Sequence, residues 1–465
     1  MDKRTVDERI EEAGQVYKQK LRERMGALMT IEGPNAITLD GIESMWGQIN
    51  KEAEKLTGEF FNDVLSNNLQ NELLLKKNEL ENAGFDVRNG GKRSYSILTT
   101  NGEMRIQKTV LKLNPSDKTI GKNCKTEAIV LDDYFKLKQM PHKITNELTT
   151  EVCFWAQNQG SYESAQEILR NKMDINISDE YIRTITMEVG EKVFDDDTKR
   201  AGDTGHLIDE MPPKPTKSGV IYVMIDGSMI NTREKNDGGS SKWSEIKLAV
   251  FFSGNDLIAC SNGKRHIIKK KDYAVSTGDV NEFSKYLLEC AVRNGYGKYE
   301  KVVIVSDGAT WIRNLCYDIF PDAIQILDFY HLAEHGGDTG KELFNDEPKK
   351  YVPWAETIIA FLRESETGKA IEILSESKEI PSCNQKLITY INNIIEKIDY
   401  KRYIRNGYFI GSGPIESANK VVVQRRCKQS GMRWNLSNAG FMLSLRSKVE
   451  SGLWTSTANR LLSTA

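Results

Sequence analysis

Two short apolar runs constrain this chain more than any other feature. Val220-Ile-Tyr-Val-Met-Ile225 and Val302-Val-Ile-Val-Ser306 read as buried strands. Each stops on an aspartate followed by glycine, Asp226-Gly227 and Asp307-Gly308. A third acid, Glu416, lies just inside a helix start, with Pro414 at the first helical position. A sheet holds strand-end side chains rigidly at a crevice. Two such aspartates and a helical glutamate are the ligand type that holds two hard divalent ions. Each acid alone has an ordinary explanation. Asp-Gly is a common turn, and a first-turn glutamate suits the helix dipole.

The pattern around these acids divides the chain. Residues 1–83 read as an N-terminal helical region, with Asp40 capping a helix that runs to about Ala83. Residues 84–125 form a β-hairpin region, because Asn101-Gly102 separates two β-prone runs. Its lysines and arginines either touch a nucleic-acid backbone or guard an edge strand. Residues 126–199 form a helical domain, with Ser178 as an N-cap and DNA binding as one reading. Asp179, Glu180 and Glu188 argue for packing rather than groove entry by its last helix. Residues 200–218, rich in Pro and Gly, read as a linker. From 219 to 340 the pattern is α/β, with strands expected at 219–225, 245–253, 257–262, around 266–268, 301–306 and 323–328. Residues 341–405 read as helices only, and 406–465 close the α/β part.

Composition limits the function classes. Net charge is −2, so no global argument for nucleic acid exists. The segment from Lys401 to Ala465 nevertheless carries eleven Lys and Arg against Glu416 and Glu450, a local excess of nine. Such a stretch suits a phosphate-backbone surface. No apolar stretch approaches the roughly 20 residues of a membrane helix, and the polar N-terminus has no signal-peptide core. A cytoplasmic protein without membrane partners is expected, nucleoid-associated when acting. Seven scattered cysteines without a C-x-x-C pair suit reduced thiols and argue against structural zinc.

The motifs together resemble a known family. Val223-Met-Ile-Asp-Gly-Ser228, Val303-Ile-Val-Ser-Asp-Gly-Ala309, Gln325-Ile-Leu-Asp-Phe-Tyr-His331 and Gly411-Ser-Gly-Pro-Ile-Glu-Ser-Ala-Asn419 occur in this order. The order resembles the DDE transposases of bacterial insertion sequences, mutator-like in broad type and closest to the ISLre group. The resemblance implies an RNase H-like catalytic core interrupted by an all-helical insertion. It implies Mg²⁺ or Mn²⁺, two ions per site, held by Asp226, Asp307 and Glu416. It implies cleavage and strand transfer on double-stranded DNA, with terminal inverted repeats and target DNA as partners and a homodimer or higher assembly on DNA.

Further residues have expected roles. Asp328 and His331 are accessory candidates, Asp328 as a fourth carboxylate or as the group that orients His331. Lys420, Arg425, Arg426, Lys428 and Arg433 are candidates for DNA contact. Trp311 and Trp434 either stack on an unpaired base or belong to the core. Competing readings are a nuclease of the same fold that cuts without joining, a non-catalytic DNA-binding descendant, and a small-molecule phosphohydrolase.

Overall fold

The computed structural model describes residues 6–29, 70–115, 127–128, 142–203, 215–235, 241–260, 266–376 and 379–463, with a few isolated positions besides. The expected Asp40–Ala83 helix lies largely outside the described residues, as does most of the expected linker. By internal contacts the chain forms two units. One comprises Met1–Trp155, Glu163–Ile185 and Leu462–Ala465, the other Ala156–Tyr162 and Thr186–Leu461.

The first unit includes helices Val6–Met29 and Gln70–Asn82, the helix Tyr162–Met173 from Glu163 onward, and a three-stranded antiparallel sheet. Its strands are β1 (Phe85–Thr99), β2 (Gly102–Pro115) and β3 (Glu127–Ala128). The hairpin forms where Asn-Gly predicts it, shifted by one residue. Thr99 pairs with Gly102, so Thr100 and Asn101 make the turn and Gly102 takes the positive φ of 99°. Val87, Leu111 and Leu113 bury its inner face. Three of the hairpin arginines already have acidic neighbours: Arg88 with Asp86, Arg93 with Glu127 and Arg105 with Glu103.

The second unit is built on a five-stranded mixed sheet. Its strands are β4 (Lys217–Lys235), β5 (Ser241–Ser253), β8 (Asp272–Ser276), β9 (Tyr299–Ser306) and β10 (Ile324–Leu327). The order is β10-β9-β4-β5-β8. β4 runs antiparallel to β5, and β5 to β8, while β4, β9 and β10 are parallel. Alternation along β4 sends Tyr222 and Met224 to one face and Ile221, Val223 and Ile225 to the other. The second face packs on helices Val280–Arg293 and Thr310–Ile319. The first packs on the chain beyond β10. Between β10 and the Glu416 helix the described chain is helical, with longer helices at Phe329–Leu343, Pro348–Arg363, Thr367–Leu374 and Ser382–Asn393.

Two strand expectations change. The segments around 257–262 and 266–268 do not join the main sheet. They form a separate antiparallel pair, β6 (Leu257–Ala259) and β7 (His266–Ile268), with Ile258 and Ile267 exposed. The edge of the main sheet is instead β8, whose five residues are all buried. The other change concerns Asp226. It does not end its strand, because β4 continues to Lys235 opposite β5. What ends near it is the pairing with β9, whose last partners are Met224 and Val305. Asp226-Gly227 is therefore strand rather than turn.

Candidate active site

Strand register brings three aspartates into one row. Met224 opposes Val305, and two residues further Asp226 falls level with Asp307. Ser306 opposes Leu327, and one residue further Asp307 falls level with Asp328. The row lies just past the carboxyl ends of β9 and β10, at the point of β4 where its pairing with β9 stops, and open α/β sheets place their sites at such strand ends. Glu416 reaches the same cleft from helix Gly413–Ala418. The cleft has a volume of about 200 Å³ and is lined by Asp226, Asp307, Asp328 and Glu416, with His331, Glu334, Tyr330 and Ser412 beside them.

Each acid is held by identifiable donors. Asp226 accepts from its neighbour Gly227 N at 2.7 Å on Oδ1 and from Asn419 Nδ2 at 2.5 Å on Oδ2. Asp307 accepts from Ala309 N at 2.9 Å. That turn requires Gly308, whose φ is +85° and whose Cβ, if present, would lie 2.7 Å from Leu327 Cδ1. Asp328 caps helix Phe329–Leu343 by accepting from Tyr330 N at 2.9 Å, and its other oxygen accepts from Ser412 Oγ. Ser412 Oγ also lies 3.3 Å from Glu416 Oε1. A hydroxyl has a single proton to share between these two carboxylates. Asp328 is 5% exposed and both its oxygens are engaged, whereas Glu416 is exposed to the cleft.

Electrostatics mark the cleft as short of positive charge. Burial raises the Asp226 carboxyl above the usual carboxylate range, and the charges of Asp307 and Glu416 add to the rise. Gly227 N–H and Asn419 pull it back in part. The carboxylates of Asp226, Asp307 and Glu416 line one cleft without a Lys or Arg among its described lining residues, a donor type that suits a divalent cation. Among the described residues no three His, Cys, Asp or Glu side chains close into a ready metal cage. An open carboxylate set of this kind suits Mg²⁺, which keeps several waters and shares its shell with substrate phosphate.

A family model, "Uncharacterised protein family (UPF0236)", matches residues 43–455. The chain belongs to this family. No curated protein matches it. Among solved structures, this UPF0236 chain is similar to the Drosophila P element transposase strand transfer complex. That likeness has 11% identity and a TM-score of 0.24, over 70% of this chain and 86% of that chain. No helix of the described residues is long and apolar enough to cross a membrane.

The other expected site residues of this UPF0236 chain divide by burial. Lys420, Arg425, Lys428 and Arg433 are exposed. Arg426 is 2% exposed, and its guanidinium lies over the rings of Tyr162 and Trp434. Trp434 is itself buried, and its backbone bonds to Asn231 and Arg233 alongside β4. Burial takes both out of a DNA-facing surface: the DNA-contact expectation for Arg426 is corrected to a core role, and of the two readings of Trp434 the core one agrees with its burial. Trp311 is half-buried against Phe283, with Lys247 Nζ 5.8 Å from its ring centre. His331 faces the cleft, with its Nε2 3.3 Å from Nε2 of His335.

Four residues in or behind the cleft were not singled out by motif spacing: Ser412, Asn419, Tyr330 and Tyr390. Ser412, Glu416 and Asn419 stand at i, i+4 and i+7, one face of a helix, and that spacing was readable. Tyr390, on helix Ser382–Asn393, lies behind Gly308, its hydroxyl buried without a hydrogen-bond partner among the described residues. Burial pushes it up to about 12, helped by the charges of Asp307 and Asp328.

Proposed function

We propose that this protein is a DNA transposase of the DDE type, with Asp226, Asp307 and Glu416 as its metal-binding acids. The observation that carries the reading is the row of Asp226, Asp307 and Asp328 facing Glu416 across one cleft. The sheet supports an RNase H-like core, because two parallel strands flank the first of three antiparallel ones in the order β10-β9-β4-β5-β8. The helical segment between β10 and Glu416 is then an insertion, and the exposed Lys420, Arg425, Lys428 and Arg433 extend from the site as a backbone-contacting surface.

The chemistry is two in-line displacements at phosphorus. Water first attacks a phosphodiester at the element's end, forming a new P–O bond as the bond to the 3′ oxygen breaks. The freed 3′-hydroxyl then attacks a phosphodiester of target DNA, its oxygen bonding to phosphorus as the target's own P–O3′ bond breaks and releases a target 3′-hydroxyl, and no covalent bond to protein is needed. Asp226, Asp307 and Glu416 would hold two Mg²⁺ or Mn²⁺ ions, which supply activation of the attacking oxygen and stabilisation of the leaving one. Asn419 fixes the outward oxygen of Asp226. Asp328 caps the helix with one oxygen and with the other holds Ser412 beside Glu416. Double-stranded DNA, with inverted repeats as the recognised ends, is the proposed substrate, and pairing two ends calls for at least a dimer.

The test is cleavage and joining of the DNA ends that flank the reading frame, with and without Mg²⁺. Cleavage with joining is expected, and cleavage alone would favour a simple nuclease. Asp307→Asn and Glu416→Gln should fold and lose activity by at least 100-fold, the scale of removing a metal ligand or its support. Full activity in either folded variant would refute the site.

A further inference from the structure

Tyr330 sits among acids and yet stays 63% exposed. Its backbone is fixed, since its N–H donates to Asp328 Oδ1 at the start of helix Phe329–Leu343. Its ring is supported on one side by Phe329, with centroids 5.7 Å apart, and on another by the chain at Gly411. A Cβ at residue 411 would lie 2.6 Å from Tyr330 Cε2 and 2.8 Å from Cδ2. Gly411 has no positive φ to explain it, so its value here is clearance for the ring. A large aromatic held open at the rim of a polar cleft gains little from water and much from a flat partner.

We propose that Tyr330 is the stacking platform for the base next to the scissile phosphate. The proposal rests on the reading of the cleft as a DNA phosphodiester site, and it adds the contact that seats the nucleotide there. Asp328 links the two functions. One carboxylate oxygen fixes the Tyr330 backbone, and the other fixes Ser412 beside Glu416. Base seating and placement of the third acid thus share one anchor. Every base offers a π-face, so the platform is tolerant of sequence.

The probe is a nicked duplex carrying 2-aminopurine beside the nick, mixed with the full-length protein in Ca²⁺. Wild type and Tyr330→Phe should quench the fluorophore. Tyr330→Ala should lose the quench and bind roughly 10- to 100-fold more weakly, the loss expected for one aromatic–base stack. Gly411→Ala, which displaces the ring, should behave like Tyr330→Ala, with the melting temperature of each variant reporting its fold. Equal quenching by Tyr330→Ala and wild type would overturn the proposal. So would failure of Tyr330→Phe, which would assign the effect to the hydroxyl. Binding by wild type without quenching refutes the platform and leaves the catalytic reading standing. Quenching without Mg²⁺-dependent cleavage does the reverse, and no binding at all refutes both.

Discussion

Asn419 Nδ2 donates to Asp226 Oδ2 across 193 residues of sequence, at 2.5 Å. This bond joins the helix that carries Glu416 to the strand that carries the first acid. It also occupies the oxygen of Asp226 that does not bond to Gly227. Asn419→Ala should cost about 1 kcal/mol of stability and lower kcat/KM roughly ten-fold, through a looser Asp226. Asn419→Asp should do worse, because it sets another negative charge against an already crowded acid. Its activity should fall further, and its divalent-ion requirement should rise. Cleavage rates across a Mg²⁺ titration check both, and an active Asn419→Asp at low Mg²⁺ would contradict the arrangement.

Asp226 also predicts a pH dependence. Its carboxyl is raised by burial and by Asp307 and Glu416, so the fold favours its protonated form. The stabilisation is fully present below the ordinary aspartate pKa of about 4 and is lost as pH rises through the raised value. Asp226→Asn removes that loss. At neutral pH and without divalent ions the variant should melt higher than wild type, and the difference should vanish near pH 4. Mg²⁺ should raise the melting temperature of wild type more than that of the variant. Thermal melts over this pH range test the sign directly.

Arg446 predicts a large stability effect. It is wholly buried, and its guanidinium donates to the carbonyls of Val421 and Val422, to Gln157 and to Glu450. Val421 and Val422 lie in a π-helix, Asn419–Gln424, directly after Glu416. Its widened turn leaves carbonyls that need outside donors. Burial pushes the guanidinium down to about 10, which still leaves it charged at neutral pH. Arg446→Met should cost about 3 kcal/mol by stranding these acceptors and Glu450. Arg446→Lys should recover little, since an ammonium lacks the planar fork. Urea melts give the first number, and Mg²⁺-dependent cleavage should fall with it because Glu416 loses its frame.

Gly308→Ala tests the second acid without touching a charge. The residue would carry its Cβ at positive φ and against Leu327 Cδ1. A cost of about 1–3 kcal/mol is expected. The Asp307 turn would shift with it, so cleavage should fall more than stability does. A variant with unchanged activity would show that the turn is slack.

Much of this site was legible because its signals are local. Apolar runs locate β4, β9 and β10, and the acids follow them by one residue. The register that sets Asp226, Asp307 and Asp328 side by side is a property of strand pairing, which no single run encodes. β8 escaped because Asp272-Tyr-Ala-Val-Ser276 is short and follows three lysines, so its burial is visible only in the sheet. Arg426 was misread for a related reason. Arg425 and Lys428 close by in sequence are basic and exposed, but the neighbours of Arg426 in space are Tyr162 and Trp434. Charge counts along a chain see the first environment and not the second.

The distance between Asp226 and Asn419 also has a consequence for synthesis. At roughly 5–20 residues per second, a ribosome exposes Asp226 about 10–40 s, and all three aspartates about 5–18 s, before the helix that completes their cleft. A partly made chain carries the strands but lacks Glu416, Ser412 and Asn419. Whatever the finished cleft does to nucleic acid, the nascent polypeptide beside its own transcript lacks the residues to do it.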